Sequence, residues 1–205
     1  VVDGCNRMRV AVIPAKGNSK RILHKNRKVF HGRPIIAYSI DNAKGCGVFN
    51  EVYVSTEDKE MASLARNLGA KVIDRPVKLT KETVGTQDIA RHAIEHLDLG
   101  AKDIVCCLYA TAPLIVHTDL QMSYQMLMMR PCSFVVSVAT EPLRDIGNFY
   151  VGFASQYTQK LPLYNIHTGL YPIPANRAID INTEKDWETA EAMYEFFHGR
   201  KIGHA

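Results

Sequence analysis

Lys16, Lys20, Lys25 and Lys28, with Arg21 and Arg27, put six permanent cations between residues 16 and 28, and no Asp or Glu lies between Asp3 and Asp41. Within that stretch Gly17, Asn18 and Ser19 stand between two lysines. Glycine lets a backbone come close to a ligand, exposed N–H groups form a concave anion seat, and lysines add compact charge. That combination suits the gripping of a polyphosphate. Charge by itself equally suits a solvated basic loop after an edge strand. The pattern is neither GxxxxGK[ST] nor GxGxxG.

The elements around the loop are read from periodicity. An apolar run, "MRVAVIPA" (8–15), precedes it and reads as a fully buried strand. Further strands are expected at 51–56, 71–74, 103–110 and 133–139. Helices are expected at 33–46 with Pro34 in the first turn, at 57–70 closed by Gly69, at 86–97 capped by Thr86, at 118–129, and at 183–199 with Asp186 completing a capping box on Thr183. Residues 144–178 show no clear period. Strands alternating with helices give the expected fold class: α/β, three-layer, a mainly parallel sheet with helices on both faces, Rossmann-like. Ligands of such sheets bind beyond the carboxyl ends of the strands, where strand order reverses.

The 205 residues suit one domain over 8–205, with 1–7 as a leader. The net charge of +4 is too mild and too local for a nucleic-acid coat. Five cysteines without CxxC spacing argue against a disulfide scaffold or zinc site and point to the cytoplasm. No span is apolar enough for a membrane. Met122, Met126, Met128 and Met129 read as helix core.

"VAVIPAKGNSKRILHKN", "GRPIIAYSI", "EVYVSTEDKEMASLARNLGA", "DRPVKLTKETVGT" and "DINTEKDWETAE" resemble, in order, the segments of the CMP-sialic acid synthetase (acylneuraminate cytidylyltransferase) family. "CCLYATAPL" and "GNFYVG" are similar to the pseudaminic acid branch. The resemblance implies a nucleotide-diphospho-sugar transferase fold. It also implies transfer of CMP from CTP to a nine-carbon 2-keto sugar acid, pseudaminic acid first, with pyrophosphate released and Mg2+ as cofactor.

Residue by residue, the resemblance implies that Ala15, Lys16, Gly17, Asn18, Ser19 and Lys20 hold the triphosphate. Lys25 stands near the α-phosphate, and Asn26, Arg75 and Thr86 contact nucleotide. Tyr109, Thr111, Tyr150 and Arg177 face the sugar, Arg177 as partner of its carboxylate. Asp180 and Asn182 hold the metal, and Lys20, Lys25 and Asp180 form the catalytic set. Arg21, Arg27 and Lys28 are expected to be solvated.

Lys16 replaces the family's usual arginine, Asn18 a glycine and Asn182 the second metal carboxylate. Only "TEPLRD" (140–145) stands where relatives carry a longer segment, so 140–178 is expected to be a shortened sugar-pocket and dimerisation arm. Two alternatives to the pseudaminate reading remain open. One is a weakened or inactive nucleotide- or sugar-binding homologue. The other is a cytidylyltransferase for legionaminic, N-acetylneuraminic or 3-deoxy-manno-octulosonic acid. A homodimer is possible.

Overall fold

The computed structural model describes residues 7–19 and 21–199. Lys20, most of the expected leader and Cys5 therefore lie outside the described residues. A seven-stranded sheet carries the order β5-β4-β1-β6-β8-β7-β9. Its strands are β1 (Arg9–Pro14), β4 (Glu51–Thr56), β5 (Lys71–Asp74), β6 (Ile104–Leu108), β7 (Phe134–Thr140), β8 (Leu143–Phe153) and β9 (Thr168–Ile173). Only β8 runs against its neighbours, antiparallel to both β6 and β7. A small hairpin of β2 (Val29–Phe30) and β3 (Arg33–Pro34) stands apart.

β1 pairs on one side with β4 and on the other with β6, so it is central, not an edge strand. Strand order reverses there: the chain builds outward to β4 and β5, then returns to place β6 on the opposite flank. The basic loop therefore opens at the position where α/β sheets hold ligands.

Successive side chains of a strand point to opposite faces. Ala11 and Ile13 of β1, with Cys106 and Leu108 of β6, join one buried cluster, while Val10, Val12, Val105 and Cys107 join the other. Helices α1 (Ile36–Gly45), α2 (Lys59–Asn67) and α4 (His117–Met129) supply the first cluster; α3 (Thr86–His96) and α5 (Ala154–Thr158) supply the second. Both faces being covered explains why these strands read as continuous apolar runs.

A third cluster fixes the site. Ile22, Phe30 and Tyr38 pack with Ile181 and Trp187, the last on α6 (Glu184–His198). Phe30 meets the Trp187 ring edge-on at 5.5 Å. Burying each such aromatic stabilises by about 1.5–3 kcal/mol. This contact clamps the chain's last segment beside the basic loop, though they lie more than 150 residues apart.

Several expectations need correction. Pro34 pairs with Val29 in the hairpin, and α1 starts only at Ile36. Thr86 is the first helical residue; Gly85 is the cap, and its N–H donates to Asp88 at 3.0 Å. The region 144–178 is not irregular: it carries most of β8, which has 11 residues, and all of β9, both in the main sheet. Met126 and Met128 pack on the core, but Met122 and Met129 are exposed. Cys106 and Cys107 are buried free thiols.

Candidate active site

The loop leaving β1 is tied down on both sides. Ala15 is fully buried and donates its N–H to the Ser55 carbonyl at 3.0 Å. Asn26 donates its amide to the Lys16 carbonyl at 2.9 Å, and the His24 Nδ1 lies 3.2 Å from the Gly17 carbonyl. Asn26 thus braces the loop from within. His24 takes the left-handed conformation at φ 50° that starts the short 3-10 turn Lys25–Arg27. Neither Gly17 nor Asn18 has positive φ, so Asn18 meets no backbone strain. Glycine is required at 17 for another reason: a Cβ there would stand 2.2 Å from the Asp58 carboxylate at the start of α2.

Sequence reasoning missed Glu57. Its Oε1 accepts the Gly17 N–H at 2.9 Å, so a carboxylate occupies an amide expected to serve an anion. Glu57 follows directly on β4, neighbour of β1, and the rule that sites form at the carboxyl ends of strands could have pointed to it.

Lys16, Ser19, Lys25, Asn26, Arg75, Thr86, Tyr109 and Thr111 all line one cleft of about 200 Å³ at the switch point. Its far wall is the turn carrying Thr80, Lys81 and Glu82, not singled out from sequence. Arg75 is 4% exposed; its Nη2 donates to the Ser55 carbonyl and its Nε to Ser55 Oγ at 3.3 Å. Burial lowers its pKa, with Glu57 opposing. Such a guanidinium is fixed in direction before any ligand arrives. Asn18 is exposed.

Thr86 Oγ1 and the Tyr109 hydroxyl share a short hydrogen bond at the cleft wall. Burial pushes the Tyr109 phenol up to about 12, so it stays protonated and can donate. Tyr150 lies behind it, rings edge-to-face at 6.0 Å, its hydroxyl donating to Asp145 at 2.8 Å.

Lys25 joins this cleft to a second one. Its ammonium donates to the Ile181 carbonyl at 2.5 Å. Burial lowers its pKa from 10.5, and the charge of Asp180 opposes that shift. Asp180, Asn182 and Asp186 line a polar cleft of about 440 Å³. Arg21 donates to Asn182 Oδ1 at 2.8 Å and Lys28 to Glu184 at 2.5 Å, while Arg27 pairs with Glu60. These three cations each have a partner, at contacts that stay exposed to solvent. Asn182 in turn donates its amide to Asp180 at 2.6 Å. Asp186 accepts the Thr183 N–H at 2.7 Å and completes the expected box.

Arg177 is not brought to this site. It forms a two-pronged ion pair with Asp119, at 2.5 Å and 3.1 Å, and also donates to the Leu114 carbonyl. Asp119 is 2% exposed and additionally accepts from Val116 N–H and Tyr171. The pair ties α4 to the segment that follows β9. Asp119→Ala leaves a guanidinium without its counter-charge and is expected to cost about 3–5 kcal/mol, read from the urea unfolding midpoint.

A mainly parallel sheet with a braced basic loop, a buried arginine and a lysine reaching an aspartate-bearing segment defines an α/β nucleotidyltransferase. The family profile described as Cytidylyltransferase matches residues 10–148, and the chain belongs to that family. A pseudaminic acid cytidylyltransferase of Campylobacter jejuni subsp. jejuni is 30% identical over 225 residues, covering 92% of this chain and 97% of that protein. N-acylneuraminate cytidylyltransferase A of Danio rerio is 27% identical, over 88% of this chain and 49% of its own. The fold matches that of CMP:2-keto-3-deoxy-manno-octonic acid synthetase complexed with CTP, with a TM-score of 0.74, 16% identity, and coverage of 93% and 99% of the two chains. Among the described residues no helix is long and apolar enough to cross a membrane.

Proposed function

We propose that the protein transfers CMP from CTP to a nine-carbon 2-keto sugar acid, pseudaminic acid in the first place. The observation that carries this reading is Lys25, which lines the switch-point cleft and reaches the Asp180 segment in one span. Lys16, Ser19 and Lys25 are assigned to the triphosphate, with Lys20 completing the set. Arg75 and Thr86 are assigned to the nucleotide, and Tyr109 and Thr111 to the side from which the sugar enters.

In the reaction the anomeric hydroxyl oxygen bonds to the α-phosphorus, and the bond from that phosphorus to the pyrophosphate oxygen breaks in line. The hydroxyl proton passes to solvent. The lysines hold the phosphates in position and offset charge moving onto pyrophosphate. Pre-formed placement of Arg75 and the braced loop lowers the reorganisation needed at that moment.

Mg2+ fits here on the chemistry of the donors: Asp180 brings a carboxylate in no ion pair with Arg144, the cation lining its cleft. Asn182 fits less well, because its oxygen already accepts from Arg21. One protein carboxylate with substrate phosphates is a usual Mg2+ arrangement. When bound, the ion would neutralise phosphate charge and polarise the α-phosphoryl group.

Incubation with CTP, Mg2+ and pseudaminic acid is expected to release pyrophosphate and form the CMP-sugar, with UTP and ATP serving poorly. Legionaminic, N-acetylneuraminic and 3-deoxy-manno-octulosonic acids in parallel identify the acceptor. Absence of product with all four, from protein that is folded and binds CTP, would replace this reading with that of a nucleotide-binding homologue.

A further inference from the structure

Thr86 brings to the nucleotide cleft a hydroxyl that by itself could donate or accept. We infer that Asp145, two tyrosines behind it, fixes that hydroxyl as an acceptor, which selects the amino group of cytosine over the carbonyl of uracil. This rests on the cytidylyl-transfer reading above and names a positioning residue behind its preference for CTP.

The chain of contacts exists because β8 lies against β6. That pairing sets Tyr150 opposite Cys107, two positions before Tyr109, and the Tyr109 N–H donates to the Asn148 carbonyl at 2.8 Å. Asp145 ends the chain. Its Oδ1 accepts the Gly147 N–H at 2.7 Å, and its Oδ2 accepts the Tyr150 hydroxyl at 2.8 Å. Tyr164 also hydrogen-bonds Asp145, from an exposed position. Tyr150 is buried and hydrogen-bonds Tyr109, which in turn meets Thr86 Oγ1.

Each hydroxyl has one hydrogen, and an ionised carboxylate has none to give. Tyr150 spends its hydrogen on Asp145 and so accepts from Tyr109. Tyr109, its own hydrogen spent, accepts from Thr86. Thr86 is left with lone pairs alone to offer the cleft. Burial raises the pKa of both phenols, which keeps their protons in place.

This end of the cleft suits a base better than a phosphate. Val84 and Ile89 give it apolar lining, Ile89 standing three residues from Thr86 on the same face of α3, whereas Lys16, Ser19 and Lys25 belong to the segment after β1. Cytosine carries an amino group where uracil carries a carbonyl, so an acceptor that cannot turn round tells them apart. A ribose hydroxyl would adapt to either polarity.

The test is calorimetry of CTP, UTP and 2′-deoxy-CTP binding to wild type, D145N, Y150F and the double variant. In D145N the new amide keeps its carbonyl on the Gly147 N–H and turns its own N–H toward Tyr150. The chain reverses and Thr86 donates. D145N is expected to weaken CTP and 2′-deoxy-CTP alike by about 10- to 100-fold and to leave UTP no weaker than in wild type. Y150F cuts the chain, so it should narrow the CTP-to-UTP ratio less, and D145N added to it should change nothing further. A merely structural role for Asp145 would instead weaken all three nucleotides equally and persist in the Y150F background. Either of those results overturns the inference, as does a D145N effect absent with 2′-deoxy-CTP, which would move the contact to the ribose. Should D145N fail to fold by circular dichroism, a CTP-to-UTP ratio unchanged in Y150F overturns it. All these outcomes leave cytidylyl transfer standing, whereas wild-type protein that binds no nucleotide removes both.

Discussion

Lys25→Met is expected to lower kcat/KM for CTP by about 100- to 1,000-fold, the scale seen when one preorganised donor to a developing charge is removed. The side chain spans both halves of the site, since its stem lines the switch-point cleft while its ammonium bonds the Ile181 carbonyl. Two nearby cations are committed elsewhere: Arg21 and Lys28 are tied to Asn182 and Glu184. The loss should appear in turnover with the fold intact, because removing the ammonium also removes the cost of its desolvation. Stopped assays with CTP and the identified sugar acid, beside circular dichroism, check this.

The pH dependence has a defined sign. Burial lowers the Lys25 pKa from 10.5, against the pull of Asp180. Activity that needs the ammonium should fall on the alkaline side earlier than for an ordinary lysine, and Lys25→Met should lack that limb. Stability moves the other way. Between the lowered folded pKa and 10.5 the unfolded chain binds the proton more readily, so this group's contribution to stability rises with pH across that window.

The second large effect lies at Asp180. Asp180→Ala removes the carboxylate assigned to Mg2+ and should lower turnover by about 100-fold or more, several kcal/mol of charge stabilisation being lost. Extra Mg2+ should recover part of it. Asn182→Asp should act oppositely, strengthening the apparent Mg2+ affinity by about three- to tenfold. The gain is limited because Arg21, now donating to Asn182 Oδ1 at 2.8 Å, would pair with the new carboxylate. Titrating Mg2+ at fixed CTP separates the two outcomes. A Mg2+ response identical in wild type and Asp180→Ala would remove this aspartate from the metal site.

Sequence by itself determined the class of fold and the neighbourhood of the site. Buried parallel strands write themselves as apolar runs, and β1, β4, β6 and β7 were legible for that reason. The family segments carried the cleft residues from Lys16 to Thr111 in order. β8 and β9 were not legible, because Pro, Gly and Tyr interrupt their patterns and their pairing partners, not local propensity, make them strands. Side-chain partnerships were equally hidden. Whether Arg177 meets a substrate or Asp119, and whether Gly17 serves a phosphate or makes room for Asp58, depend on what distant segments bring alongside. A charge's type is written in the chain, but its counter-charge is chosen by packing. For Arg21 and Lys28 the packing of Ile22 and Phe30 against Ile181 and Trp187 brings Asn182 and Glu184 alongside.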